Sequence, residues 1–305
     1  MYLNETPDEI SRPLKLIWTV ENIQLQSYNS KITVNKSIME SIFHKGQKYT
    51  LHIGFRDDDS LRIPFNRLTK RVYGFDFENW HQHGYWGEKY IPYALMQGDE
   101  MVSNVSISII DFLVDEKKRT FIQIGSVMTN PDKRHQGLNK LLLEKVLQDW
   151  RDNCDLIYLF ANNTVLDFYP KFGFRQIDQW QYARQIIAKG NNHNVTKLDM
   201  SLPENKQLLH DKINCSIPVS KLSMIQNASL VLFYYTVFLA QNVYQIDELN
   251  ALAIADFEDG VMYLHDVYSQ SDVALDEVVS ALANDAVNNT NPHKEVVRQR
   301  ESKWA

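Results

Sequence analysis

The segment from Ile124 to Lys140, IGSVMTNPDKRHQGLNK, has the residue types that an anion-binding turn needs. Its first half is apolar and β-branched enough for a strand. Pro131 has no N–H to give to a ladder and so ends it. Lys133, Arg134, His135 and Lys140 then crowd a turn that opens into a helix at Gly137. The first N–H groups of a helix have no partner within it, and the positive end of its dipole lies there, so a phosphate is favoured at that mouth. Gly137 has no Cβ and lets the backbone approach a bulky diphosphate. A plain strand-to-helix turn with a solvated basic edge would use the same residues, so this stretch alone leaves both readings open.

A second stretch, Asn162 to Phe174 (NNTVLDFYPKFGF), follows the apolar run Asp155 to Ala161. Its Tyr169 could be a core aromatic with a satisfied hydroxyl or a proton donor. Taken together, the two stretches resemble the signatures of the GCN5-related N-acetyltransferase (GNAT) superfamily. Arg134, His135, Gln136 and Gly137 fit its Q/R-x-x-G-x-G/A loop, while Asn139 stands where Gly or Ala is usual. Asn accepts unusual backbone angles more readily than most residues, so the loop can survive this departure. The second stretch is similar to the family's N-x-x-A-x-x-(L/F)-Y-x-K-x-G-F, and it lies about thirty residues further on.

The resemblance implies acetyl-coenzyme A as co-substrate, no metal, and transfer to a primary amine by direct attack in a ternary complex. It implies that the backbone of Val127, Met128 and Thr129 pairs with the pantetheine arm, with an N–H near Met128 aimed at the thioester oxygen. It assigns the diphosphate to Arg134, His135, Gln136, Gly137, Leu138, Asn139 and Lys140. Tyr169 would be the general acid for the departing sulfur, and Asn162 would bond the cofactor arm or an ordered water. The aromatic segment Phe75 to Tyr93 would cover the acceptor side. It offers Glu78, His81, His83 and Glu88 as bases, although a solvated loop residue is the alternative for each. Trp80, Tyr85, Trp86 and Tyr90 could form a cation–π wall for an amine or the packed underside of the loop. An acetyl-CoA-binding module without transfer is the alternative for the whole.

The elements that must position these residues are partly legible. Tyr49 to Phe55 reads as a strand, and Asp57 to Ser60 caps a helix over Leu61 to Tyr73 that carries Leu61, Phe65, Leu68 and Val72 on one face. Ala94–Met96 and Met101–Phe112 read as a hairpin, Phe121–Met128 as the next strand, Gly137–Trp150 as a helix and Asp155–Ala161 as a strand covered on both faces. Leu14 to Val20 suggests a strand and Lys36 to Phe43 a short helix. Beyond a polar linker at Lys189 to Asn194, Ser220 to Gln241 reads as one long helix. Ala251–Phe257 and Val261–Tyr268 read as a hairpin, and Leu275–Ala283 as a helix. The tail from Asn284 is polar and is expected to be mobile.

The fold class expected is therefore α/β (α+β): a GNAT-like, mostly antiparallel mixed sheet flanked by helices, with a second, smaller GNAT-like domain. The expected divisions are an extension over 1–48, the acetyltransferase domain over 49–188, a degenerate second copy over 189–283 and a tail over 284–305. The second copy has Ser-Gln-Ser-Asp-Val-Ala-Leu after Tyr268 in place of the loop, so it is expected not to bind coenzyme A.

A formal charge of -6 argues against bulk binding to nucleic acid or anionic membrane. Two distant cysteines, Cys154 and Cys215, make no disulfide framework, and reduced thiols in a cytoplasmic protein are expected. Leu230 to Ala240 is about half the ~20 residues of a membrane span. The acceptor expected is a small-molecule or peptide amine, and the apolar run Leu230 to Phe238 could serve a homodimer.

Overall fold

Strands rich in Val, Ile and small polar residues, with helices laid on both faces, build the first half of the chain. The computed structural model describes residues 10–21, 38–161, 165–186, 193–237, 242–258, 261–287 and 294–298. Residues 17–111 and 119–176 make one compact unit, and 1–16, 112–118 and 177–305 make another.

The first unit contains β1 (Ile10–Glu21), β2 (Ile38–His44), β3 (Gln47–Ile53), α1 (Asp59–Tyr73), α2 (Glu78–Gln82), β4 (Tyr90–Gln97), β5 (Glu100–Val114), β6 (Lys117–Thr129), α3 (Leu138–Trp150) and β7 (Leu156–Phe160). Its strands lie in the order β2-β3-β4-β5-β6-β7-β1. β6 and β7 are parallel, joined through α3, and the pairs β2–β3, β3–β4, β4–β5 and β7–β1 are antiparallel. Asp58 caps α1 by accepting from Ser60 N, and Gly74 closes it at φ 84°.

Helix α3 buries Leu138, Leu142, Leu143, Val146 and Trp150 against Ile53, Leu95, Val105, Ile107 and Ile122. At roughly 1.5–3 kcal/mol for each large apolar side chain, this face fixes where the helix begins. Polar ties add direction: Trp150 Nε1 donates to Tyr93 Oη (2.9 Å), which donates to Asp149 (3.1 Å). In a second cluster, Phe65 of α1 packs on Phe55, Phe77 and Trp86.

The second unit holds β8 (Arg175–Ile186), β9 (Val195–Lys197), α4 (Pro203–Cys215), β10 (Leu222–Ile225), α5 (Ala228–Val237), β11 (Val243–Ile246), β12 (Ala251–Glu258), β13 (Val261–Ser269), α6 (Leu275–Val287) and β14 (Lys294–Arg298). The strand order is β8-β14-β13-β12-β11-β9. Within it, β13 and β14 are again a parallel pair joined through a helix. Apart from the short β10, the run β9-α4-α5-β11-β12-β13-α6-β14 repeats β3-α1-α2-β4-β5-β6-α3-β7.

Three expectations are corrected. Residues 38–44 are a strand, not a helix. Lys45 and Gly46 both take positive φ (49° and 76°), a two-residue turn that folds Ile38–His44 back onto β3. The Ser220–Gln241 run is not one helix: Gln226, at φ 50°, separates β10 from α5. The tail is not unstructured throughout, because α6 continues to Val287 and β14 pairs with both β8 and β13. Most of the Lys189–Asn194 linker lies outside the described residues. Both cysteines are free thiols.

Candidate functional site

Among the described residues, the register of the parallel pair β6–β7 runs from Phe121–Leu156 to Ile124–Leu159, and β6 continues to Thr129. Beyond Ile124 the strand is distorted: Ser126 takes φ 48° without being glycine, an uncommon conformation for an L-residue. Two consecutive carbonyls are then taken by side chains: Asn104 Nδ2 donates to Ser126 O (2.9 Å) and Tyr73 Oη to Val127 O (2.8 Å), while Ser103 Oγ lies 3.3 Å from Met128 O. The Met128 side chain is in the core and Val127 packs against it, so what these residues can offer a ligand is backbone.

After β6, Asn130 donates to Val102 O and caps the short 3-10 turn Pro131–Lys133. Arg71 clasps this turn from α1, reaching Asn130 Oδ1 (2.8 Å) and Asp132 (2.9 Å). His135 at φ 62° and Gly137 at φ 85° then bend the chain into α3. Gln136 is held from the far strands, with its carbonyl against His44 Nε2 (2.9 Å) and its Oε1 accepting from Tyr49 (3.3 Å). No side chain caps α3 and no acid stands in its first turn, so an anion meets no competing carboxylate there.

Arg134, His135 and Lys140 are exposed at this mouth, and Lys140 lies 3.8 Å from Glu144. Leu138 points into the core, so only its backbone faces the turn. Asn139 explains its own departure from the motif: its Oδ1 accepts from Ser103 Oγ (2.6 Å), tying the helix start to β5.

Tyr169 opens a 3-10 turn, Tyr169–Phe172, that ends on Gly173 at φ 86°. Its ring lies against Phe168 and Phe174 and is 5% exposed; burial pushes the hydroxyl up to about 12. Burial first, then the neighbouring Tyr169 and Tyr90 hydroxyls, hold Tyr73 well above its usual range. The Tyr73 ring is nevertheless 40% exposed. Tyr90 Oη completes the cluster, 2.8 Å from Ser126 Oγ. Tyr73, which bonds the Val127 carbonyl at the end of β6, also interacts electrostatically with the Tyr169 hydroxyl. Asn162 lies outside the described residues.

The acceptor-side residues have other partners. Glu78 receives Asn66 Nδ2 (2.7 Å), Gln82 Nε2 (2.6 Å) and Arg62 Nε (3.1 Å). Burial opposes ionisation, but the bonds from Gln82 and Arg62 outweigh it and hold the carboxyl below its ordinary value. His81 packs edge-on to Trp86, and its buried Nδ1 has no hydrogen-bond partner. His83 lies on the Asn79 carbonyl (2.7 Å) and stacks on Tyr85. Glu88 is exposed and interacts electrostatically with Arg56. Trp80 and Trp86 are 1% and 2% exposed, so they are packed underside and not an open wall. Tyr73 and Asn104 were missed by sequence reasoning. The signal for Asn104 was there: Ser103, Asn104, Ser106 and Ser108 are polar residues in an otherwise apolar strand.

Residues 62–177 match the family described as the acetyltransferase (GNAT) domain. The chain carries a GNAT domain. Solved structures agree on its fold. A conserved protein of Enterococcus faecalis, described as a probable N-acyltransferase, is 13% identical with a TM-score of 0.57 over 86% of this chain and 65% of its own. A GCN5-related N-acetyltransferase from Anabaena variabilis is 12% identical with a TM-score of 0.53, over 84% and 67%. One from Kribbella flavida is 15% identical with a TM-score of 0.51, over 83% and 65%. The chain thus spans about two thirds of the length of these relatives. No curated protein matches it in sequence. Among the described residues there is no group of three or more His, Cys, Asp or Glu that could hold a metal, and no helix long and apolar enough to cross a membrane.

Proposed function

We propose that this GNAT domain transfers an acetyl group from acetyl-CoA to a primary amine by direct attack in a ternary complex. The observation that supports the reading is that, among the described residues, the β6–β7 register ends at Ile124–Leu159 while β6 runs on to Thr129 and leads to the uncapped start of α3. The unpaired edge of β6 suits an amide-bearing arm, because Val127, Met128 and Thr129 can give it backbone bonds. The turn from Arg134 through Lys140 would hold the diphosphate with the N–H groups of Gly137, Leu138 and Asn139 and the nearby positive charges. Acetyl-CoA supplies an acyl thioester, whose carbonyl carbon a neutral amine attacks as the C–S bond breaks.

The chain then has three tasks. Holding both reactants together is worth on the order of 7–11 kcal/mol. A β6 N–H near Met128, directed at the developing oxyanion, adds about 3 kcal/mol. Tyr169, held protonated by its burial, gives its proton to the departing sulfur, worth roughly 10²–10⁴ in rate, and the proton that the acylated amine gives up passes to solvent, from which Tyr169 is reprotonated. The acceptor is a small-molecule or peptide amine, and a cytoplasmic homodimer is part of the proposal.

A second reading, binding without transfer, draws on Glu78 being spent on Arg62, Asn66 and Gln82. Calorimetry with coenzyme A, together with acetyl-CoA consumption against polyamine, aminoglycoside and peptide amines, tests both. Binding with turnover supports transfer, binding alone supports the second reading, and the absence of binding removes both.

A further inference from the structure

Asn104 is wholly buried in the middle of β5, yet it makes an incomplete set of bonds. Its Nδ2 gives one hydrogen to Ser106 Oγ (2.9 Å) and the other to Ser126 O (2.9 Å). A carbonyl can only accept, so the bond to Ser126 fixes which end of the amide is nitrogen. Oδ1 is thereby left buried with no hydrogen-bond partner. A stranded acceptor of this kind weakens a fold. Its nitrogen, however, grips the residue of β6 whose φ is 48°. Tyr90 holds the hydroxyl of that residue, and Tyr73 holds the next carbonyl. Strain kept in place by three surrounding side chains is a reason to look for function.

We infer that Asn104 is a positioning residue for acyl transfer: it sets the Ser126 bend so that the N–H groups following it in β6, at Val127 and Met128, are turned toward the thioester oxygen. Stability is given up for that geometry. The inference rests on the acetyl-CoA reading above, and its test separates the two.

The full chain and the variants Asn104→Leu and Asn104→Asp are compared by melting temperature, coenzyme A affinity and acetyl-CoA cleavage, with and without the amine panel. Asn104→Leu removes the stranded acceptor but leaves the Ser126 carbonyl and the Ser106 hydroxyl without their donor, so it is expected to melt within about 5 °C of wild type. It should bind coenzyme A within about threefold of wild type and lose about 10²-fold or more in kcat, the range seen when one oxyanion donor is removed. In Asn104→Asp the protonated acid can donate to the Ser126 carbonyl and the carboxylate cannot. Its rate relative to wild type should therefore rise about fivefold or more from about pH 8.5 to about pH 6.

A purely structural residue would instead lose melting temperature, affinity and rate together, and that pattern overturns the inference. So does a kcat for Asn104→Leu within about twofold of wild type. Should Asn104→Leu not fold, a flat pH ratio for Asn104→Asp overturns it alone. A wild type that neither binds coenzyme A nor cleaves acetyl-CoA removes the acetyltransferase reading and this inference with it.

Discussion

A phenol that burial holds at about 12 keeps its proton throughout the neutral range, so Tyr169 is always present as a donor, although a weaker one than an ordinary phenol. Replacing it by Phe should lower kcat by about 10²–10⁴ while leaving coenzyme A affinity within about threefold, as steady-state kinetics and calorimetry would show. Because its folded value is so high, the acid limb of the pH–rate profile should follow protonation of the amine and not of this tyrosine. Gly137 sits at φ 85°, where an added Cβ would meet only His44 Nε2 at 3.5 Å. Gly137→Ala therefore acts through backbone strain, with an expected loss of about 1 kcal/mol in stability by denaturant melts and weaker coenzyme A binding. Glu78→Gln should reduce stability through Arg62 and leave kcat within about twofold, since the carboxylate is already bonded on three sides. At this scale the sequence was legible where chemistry forces residue type, as at Gly137. It was opaque where a side chain serves a distant strand: nothing beside Asn139 announces that Ser103 will hold it.

Among the elements, the legible ones were those with a strong period or a forced turn, such as α1 with its Asp58 cap and α3 with its apolar face. The misread β2 lacks alternation, and its identity lies in the Lys45–Gly46 turn. In α5 an apolar run hid the break at Gln226. The repeated element order sharpens a comparison of helix starts. Helix α3 has no acid in its first turn, whereas α6, its counterpart, carries Asp276 and Glu277. Two carboxylates at a helix mouth oppose a diphosphate as effectively as an empty mouth invites one. Titration of the full chain with coenzyme A should therefore saturate at one molecule per chain, and Asp276→Asn should leave that number unchanged.

For the molecule as a whole, burial raises several tyrosines above the ordinary value of 10.0, among them Tyr93 and Tyr169 in the first unit and Tyr235 and Tyr268 in the second. Below the unfolded value these groups are protonated in both states, and the stabilisation is complete. Above it the unfolded chain gives up protons that the folded chain retains, so stability falls as pH climbs from 10 toward 12. Melting temperature should hold steady up to about pH 9.5 and then drop steeply, and absorbance of tyrosinate should rise with unfolding and not before it.

The parting of β6 from β7 has a further side. A run of main-chain amides without ladder neighbours among the described residues is what adhesive sheet margins present to other chains. If the proposed coenzyme A site lies there, the unliganded protein carries a short sticky seam, and storage without coenzyme A should favour clumping that added coenzyme A slows.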